Sequence, residues 1–237
     1  MSVSRTATAA FAALWTLALF AGPDRTASAR PNCDAAPAKG VDWSACFKAR
    51  RVMTGADLTG ATLVRTELSG SDLSDSNMQG ANLTSASVYR ARFRDANLEG
   101  ADLTKIEGGR TDFKGARLAR ARLTKAELQR ADFNEADLSG ADLSKGELGR
   151  SVFVGATLAG ANLSDAYLAR ADFTDTDLAG VNLAGAYLFR ANFTGADLSA
   201  TTGITVGQLA DACGSPDTRL PAGMSPPSTW PCDGEDD

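Results

Sequence analysis

The 237-residue chain contains no histidine. That absence removes the side chain best suited to proton transfer near neutral pH, and with it the commonest metal ligand. Cysteine is scarce: four residues, none of them between Arg51 and Ala200. They show no C-x2-C spacing, so the donor set of a structural zinc site is missing. No glycine-rich phosphate loop occurs either. The apolar run from Ala9 to Ala21 has 13 residues, whereas a membrane-spanning helix takes about 20. Charge is moderate in both signs, with a formal net of −5, and an acidic chain is a poor general nucleic-acid binder. Carboxylates are plentiful but are spread along the chain with nothing that gathers two into a cleft. These absences point to a non-enzymatic protein without cofactor or metal.

What the chain does have is a repeat. Thirty consecutive five-residue units run from Arg51 to Ala200 without insertion or deletion. Ala56-Asp57-Leu58-Thr59-Gly60 and Ala61-Thr62-Leu63-Val64-Arg65 are two of them. The middle position is apolar in 29 of the 30, Gly108 being the exception, and the residue two places earlier is Ala in 20. An α-helix needs apolar spacing near 3.6 and an ordinary strand a spacing of 2, so a strict five fits neither. A period this short specifies a solenoid whose units touch only their neighbours. The middle residue and the Ala before it face inward, while the other three positions, rich in Asp, Asn, Thr, Ser, Gly, Lys and Arg, face out. At Gly108 the usual Ala is replaced by Ile106, which reads as a local exchange of volume.

A second period lies over the first. Phe93, Phe113, Phe133, Phe153, Phe173 and Phe193 recur every 20 residues, as do Arg90, Arg110, Arg130, Arg150, Arg170 and Arg190. Four units therefore make one circuit, and the expected fold is all-β: a four-sided coil of about seven and a half turns. At about 4.8 Å per turn the stack is roughly 36 Å tall.

The A-(D/N)-L-x-x pattern of residues 51–200, about two-thirds of the chain, resembles the pentapeptide-repeat family. That resemblance implies a right-handed quadrilateral β-helix solenoid. It also brings one functional alternative, because some family members mimic DNA and inhibit a topoisomerase such as gyrase in the cytoplasm. Fold and function separate readily, so the likeness names no partner.

Outside the repeats, residues 1–29 read as a secretory signal peptide. Arg5 supplies the positive start, Gly22-Pro23 the break, and Ala27-Ser28-Ala29 the small-x-small cleavage site. Cleavage after Ala29 leaves a periplasmic or secreted protein with no transmembrane anchor. Cysteines in such a compartment pair. Cys33 and Cys46 precede the stack, and Cys213 and Cys232 follow it. Paired Cα atoms must approach within about 7 Å, so the expected bridges are Cys33–Cys46 and Cys213–Cys232. Residues 30–50, with Val41, Trp43 and Phe47, are expected to cap the first coil. Residues 201–237 form the C-terminal cap and tail, in which Thr205-Val206-Gly207-Gln208 matches a capping box. It should open a short helix running to about Ala212 and ending near Gly214. The Cys213-Gly214 and Trp230-Pro231-Cys232 arrangement also resembles the tails of exported members of the family.

Removing Arg5, Arg25 and Asp24 with the signal takes the net charge from −5 to −6. Several cations fall beside acids one coil away: Arg92 between Asp72 and Asp112, Arg122 between Asp102 and Asp142, Arg117 beside Asp137. Such cross-strand pairs contribute roughly 0.2–1 kcal/mol each. The six-arginine column stacks like on like, with Glu107, Glu127 and Glu147 as candidate neutralising partners. Higher up, Tyr167 and Tyr187 replace the glutamates and Phe189 joins them. Tyrosine beside arginine permits cation–π contact and is typical of interfaces. Tyr167, Arg170, Tyr187, Phe189 and Arg190 are therefore the candidate contact patch. The resulting functional expectation is a rigid protein-binding or scaffold module outside the cytoplasm, with an unidentified protein partner. A DNA mimic would carry more negative charge than −6, on a face not interrupted by arginines. A self-associating element, for example a homodimer, is the remaining alternative.

Overall fold

Each five-residue unit forms one short rung and one turn. In the computed structural model the described residues are 31–231. The expected signal segment with its Ala29 cleavage point, and Cys232, lie outside them. The residue just before each middle position pairs in parallel with its equivalent 20 residues on, as in Asp72↔Arg92, Arg92↔Asp112 and Asp112↔Asp132. Leu73 N–H donates to the Arg92 carbonyl and Arg92 N–H to that of Ser71, at 2.8 and 2.9 Å. After the middle residue the chain turns: Ala61 N–H donates back to the Leu58 carbonyl at 3.0 Å. The second turn residue, Gly60, has φ +62°. Positive φ at that position alone is the mark of a type II turn, which favours glycine.

The preference for Asp or Asn before each middle residue has a local cause. The Asp72 carboxylate accepts from the Ser74 N–H at 3.1 Å and from the Ser74 hydroxyl at 2.7 Å. The same short loop closes at Asp57, Asn82, Asp132 and Asn192. This is an Asx turn, a side chain standing in for backbone at the corner. Asparagine adds a second link, between coils: Asn97 donates to Asn77 and Asn182 to Asn162, at 3.0 and 3.1 Å.

The core is a set of stacked columns. Middle-position leucines and phenylalanines from Leu58 to Leu198 are buried, as are the alanines two before them from Ala61 onward. Successive rings of Phe93, Phe113, Phe133, Phe153, Phe173 and Phe193 stack with centroids 4.7–5.2 Å apart. Each coil thus lies directly over the last. Where Thr or Ser replaces the inward Ala, the hydroxyl is satisfied by a carbonyl: Thr66 on Trp43, Ser151 on Leu128. Gly108 leaves no void, because a Cβ there would lie 2.5 Å from Val88 and 3.0 Å from Leu128. Ile106 beside it is fully buried.

The ladder begins earlier than the expected boundary at Arg51. Asp42 pairs with Thr62 and Phe47 with Glu67, so residues 41–50 form rungs instead of a separate cap. Val41-Asp42-Trp43-Ser44-Ala45 is a unit with tryptophan in the middle. Trp43 is fully buried, and Asp42 accepts from Ser44 as in any other turn. The following middle residue is Lys48, whose ammonium lies 4.0 Å over the Trp43 ring and donates to the Ala35 carbonyl. Phe47 does not cover the coil; it points outward and is 75% exposed. Cys33–Cys46 is a disulfide that ties the entering chain to this coil.

At the other end a helix, α1 (Val206–Ala210), follows an N-cap at Thr205 with the reciprocal capping box to Gln208. It stops short of Ala212 because the chain returns to the ladder. Arg190 N–H donates to the Asp211 carbonyl, and Asn192 and Asp197 pair with Cys213 and Arg219. Leu209 is buried over the last coil. Gln208 fixes the helix by donating to the Leu183 and Ala186 carbonyls at 3.0 and 2.8 Å. Trp230 lies against Gly214, and its indole N–H donates to the Ala212 carbonyl at 2.8 Å. Cys213 is disulfide-bonded; its expected mate, Cys232, is outside the described residues.

Candidate binding surface

One side of the coil collects both candidate sets. Its outward positions are the rung residue, the first turn residue and the second turn residue. Coil by coil these read Ser87-Tyr89-Arg90, Glu107-Gly109-Arg110, Glu127-Gln129-Arg130, Glu147-Gly149-Arg150, Tyr167-Ala169-Arg170 and Tyr187-Phe189-Arg190. Backbone bonds hold the arginines in register. The amides of Arg90, Arg110, Arg130, Arg150 and Arg170 each donate to a carbonyl of the next coil, at 2.8–3.2 Å. All six arginines occupy the left-handed turn position, with φ between +55° and +61°.

The glutamates do not neutralise this column at contact distance. Among the described residues, no carboxylate lies within 4.0 Å of the guanidinium of Arg90, Arg110, Arg130, Arg150 or Arg170, and none of the five donates a side-chain hydrogen bond. Glu147 is instead taken by the Gln129 amide at 2.9 Å. Glu107, Glu127 and Glu147 stand on neighbouring rungs of their own column. Nor, among the described residues, does a backbone carbonyl accept from any of these five guanidinium groups. Their geometry explains it: the second turn residue projects from the corner, while the rung residue sits mid-side.

Several cations elsewhere are paired. Arg92 reaches Asp72 at 3.5 Å, Arg122 reaches Asp102 at 3.7 Å, and Arg94 contacts Asp112. Asp142 leaves Arg122 to Asp102 and accepts from Thr124 and Asn162. Arg117 is the exception to the expected pairing: it lies on the rung beside Asp137 but turns to Glu99 at 3.4 Å. Arg120 contacts the same glutamate, and Lys114 reaches Glu135 at 3.1 Å. Most of the basic coil around residues 114–130 is thereby accounted for.

In the upper coils Tyr167 and Tyr187 stack at 5.2 Å, and the Phe189 ring lies 6.2 Å from that of Tyr187. The three rings are each a little under half exposed. Tyr167 lies over Gly149, whose missing side chain makes room for the ring edge. The structure thus brings Tyr167, Tyr187 and Phe189 together, with Arg170 and Arg190 on the same two coils.

A second feature of this side was not apparent in the sequence. Tyr89 leans over Gly109, and a shallow groove of about 310 Å³ opens between Tyr89, Arg90, Gly109, Arg110, Gln129 and Arg130. Burial, and then the charges of Glu107 and Glu127, push the Tyr89 phenol above its ordinary value, so it stays a donor at neutral pH. The signal was the conjunction of a lone tyrosine and a glycine 20 residues on, which is weak without knowing which way the ring leans. No group of His, Cys, Asp and Glu among the described residues could hold a metal. No helix among them is long and apolar enough to cross a membrane.

Comparison with known proteins places these features on a familiar frame. A model described as "Pentapeptide repeats (8 copies)" matches residues 52–88, 79–106 and 91–130, and one described as "Pentapeptide repeat region" matches 126–202. No curated protein sequence matches the chain. Among solved structures, HetL, a pentapeptide repeat protein involved in heterocyst differentiation regulation from Nostoc sp. strain PCC 7120, is 28% identical. The match covers 77% of this chain and 84% of HetL, with a TM-score of 0.40. QnrB1, a plasmid-mediated fluoroquinolone resistance protein, is 19% identical over 76% of this chain and 86% of its own, with a TM-score of 0.50. Proteins of this kind are right-handed β-helices, typically structural or binding proteins without catalytic activity.

Proposed function

The chain belongs to the pentapeptide-repeat family, and from that premise we propose that it serves as a rigid, non-catalytic protein-binding module outside the cytoplasm. Its partner surface is the patch of Tyr167, Arg170, Tyr187, Phe189 and Arg190. The observation that carries this reading is the set of three stacked, half-exposed aromatic rings on the coils that carry Arg170 and Arg190. Exposed rings lose little conformational freedom on docking, and tyrosine with arginine dominates the energetics of interfaces. Export is supported by the Cys33–Cys46 bridge, since such bonds persist in oxidising compartments.

Crosslinking in the native envelope followed by mass spectrometry tests the assignment. The wild-type protein should yield a specific crosslinked partner that is lost in Tyr187→Ala and in Arg170→Gly. If both variants retain every crosslink, the patch is not the contact surface.

The DNA-mimic reading gains no more than the shared fold from the likeness to QnrB1. Arg90, Arg110, Arg130, Arg150 and Arg170, with no acid in contact among the described residues, put positive charge where a mimic requires negative. Potent inhibition of gyrase supercoiling by the purified protein would reverse that ranking.

A further inference from the structure

The repeat keeps charge out of its inward positions everywhere except at one pole. From Val41 to Ala200 the only charged side chains at those positions are Lys48, in place of the middle leucine, and Arg51, in place of the alanine. Cations at the corners recur on more than one side, at Arg65 and Lys105 for instance, and mark nothing by themselves. Lys48 and Arg51 differ because they stand at core positions of the first coil.

The edge beneath that coil is only partly covered. In the coil above, the rung residue turns both backbone groups down the stack: Asp72 donates to the Arg51 carbonyl at 2.8 Å and accepts from the Met53 N–H at 2.7 Å. The same two groups of Val52, and of Phe47, have no partner among the described residues. The entering chain serves other parts of the edge. Gly40 N–H donates to the Thr59 carbonyl, and the Ala35 carbonyl takes the Lys48 ammonium. An unpaired β-edge is a template for another strand. Beside it lies a hollow of about 640 Å³, lined by Trp43, Lys48, Arg51 and Met53 with Asp34 and Pro37 of the entering chain. The Trp43 indole N–H is buried without an acceptor. On the rim, Val52 and Phe47 are 78% and 75% exposed.

From this open edge and its hollow we propose that the pole docks an extended segment of a protein partner in which acidic and apolar residues alternate. Its backbone adds a rung below Val52. Its acids face Lys48 and Arg51, and its apolar side chains lie beside Val52 and Phe47.

Strand geometry selects this sequence. Successive side chains of a strand point to opposite faces, as exposed Val52 and buried Met53 do here. An added strand therefore offers every second side chain to the hollow and the others to the outer face. Inside, two cations stand against one acid, Asp34. Burial, and then the charge of Arg51, hold the Lys48 ammonium below its usual range; Asp34 opposes them without outweighing them. No carboxylate among the described residues lies within 4.0 Å of either cation. Glu67, one rung above Phe47, is turned to the Ser69 N–H at 2.8 Å. On the outer face, apolar cross-strand pairs stabilise the added rung. Main-chain bonds give such a complex affinity, and alternate side chains give it specificity. A second copy of this chain fits less well, since two such edges set Lys48 and Arg51 against their own equivalents.

This pole is separate from the aromatic patch, and the experiment keeps them apart. Binding of a short fluorescent peptide of alternating Glu and Val is measured by anisotropy, beside a peptide of the same composition with its Glu and Val in two blocks. The alternating peptide should bind, weaken as salt rises, and hold at least tenfold more tightly than the block peptide. Val52→Pro removes only an N–H that the fold leaves unpaired, a substitution that edge strands accept. It should lose affinity at least tenfold with an unchanged melting curve. Arg51→Glu reverses one inward cation and should lose as much, while Tyr187→Ala should bind normally. The proposal fails if the alternating peptide does not bind, if the block peptide binds as tightly, or if Val52→Pro and Arg51→Glu bind like wild type. Analytical ultracentrifugation adds one more outcome: a dimer of the free protein that Val52→Pro abolishes gives the edge to a second copy and overturns the assignment.

Discussion

A leucine at position 108 would match the rest of its column, yet it has nowhere to go. Val88 and Leu128 already close the space, and Ile106 fills the neighbouring inward position. Gly108→Leu is expected to destabilise by about 2 kcal/mol through overpacking, and Ile106→Ala by a similar amount through a cavity. Because the two sites share one volume, the double variant should cost clearly less than their sum, as chemical denaturation of all four proteins will read. The acidic residues make a second test. Asp72 is held below the usual carboxylate range by the Ser74 hydroxyl, then by the Ser74 N–H and by Arg92. Burial would raise Asp142, but the bonds from Ser144, Thr124 and Asn162 outweigh it. A group depressed in the folded state stabilises fully above its ordinary value, and that stabilisation is lost as pH falls through the folded value. The melting temperature should therefore hold from neutral pH to about 5 and drop below about 4. Asp72→Asn keeps the acceptor and should soften the drop. Asp72→Ala loses the turn bonds and should cost about 1 kcal/mol at neutral pH. The exchange of Gly108 with Ile106 was readable from the pattern, because volume must balance within a column. The swing of Arg117 to Glu99 was not, since a long flexible side chain is placed by local geometry that spacing does not encode.

Among the elements, the phenylalanine column is the most regular: five consecutive stacks, all within 12° of parallel. Each ring is buried, so Phe133→Ala removes its burial together with two stacking contacts. The expected loss is about 3–5 kcal/mol, against little for Phe47→Ala, which is exposed at the first rungs. Differential scanning calorimetry on the two variants would separate them by many degrees. The period of 20 made this column visible, as it made the four sides visible. The two ends were harder. Tryptophan and lysine in place of leucine at positions 43 and 48 disguised two further units, although Asp42 and Ser44 retained the turn chemistry. Past Ala200 the capping box marked α1 correctly, but nothing in the spacing announced that Cys213 and Arg219 re-enter the ladder. Once a strict period stops, strand pairing depends on contacts distant in sequence. The Tyr89 groove belongs to the same class, since a ring's lean is decided by what is missing one coil above it.

At the scale of the whole stack, residue number fixes direction. A residue's side is set by its remainder on division by the 20 positions of one circuit, and its height by the quotient. Duplicating residues 121–140 should lengthen the stack by one coil and extend the guanidinium series by one, leaving every other neighbour unchanged, as small-angle X-ray scattering would read from the added length. Inserting a single unit after Gly140 does something different. The core accepts it, because all four sides offer a small residue and a large apolar one, so the protein should still fold. Everything downstream, however, is turned through a quarter circle. Arg150, Tyr167 and Phe189 would face where their upstream partners do not, and the chain could lose a binding surface without losing a single residue of it. The coil behaves as a dial, and the length of the chain between two side chains decides whether they look the same way.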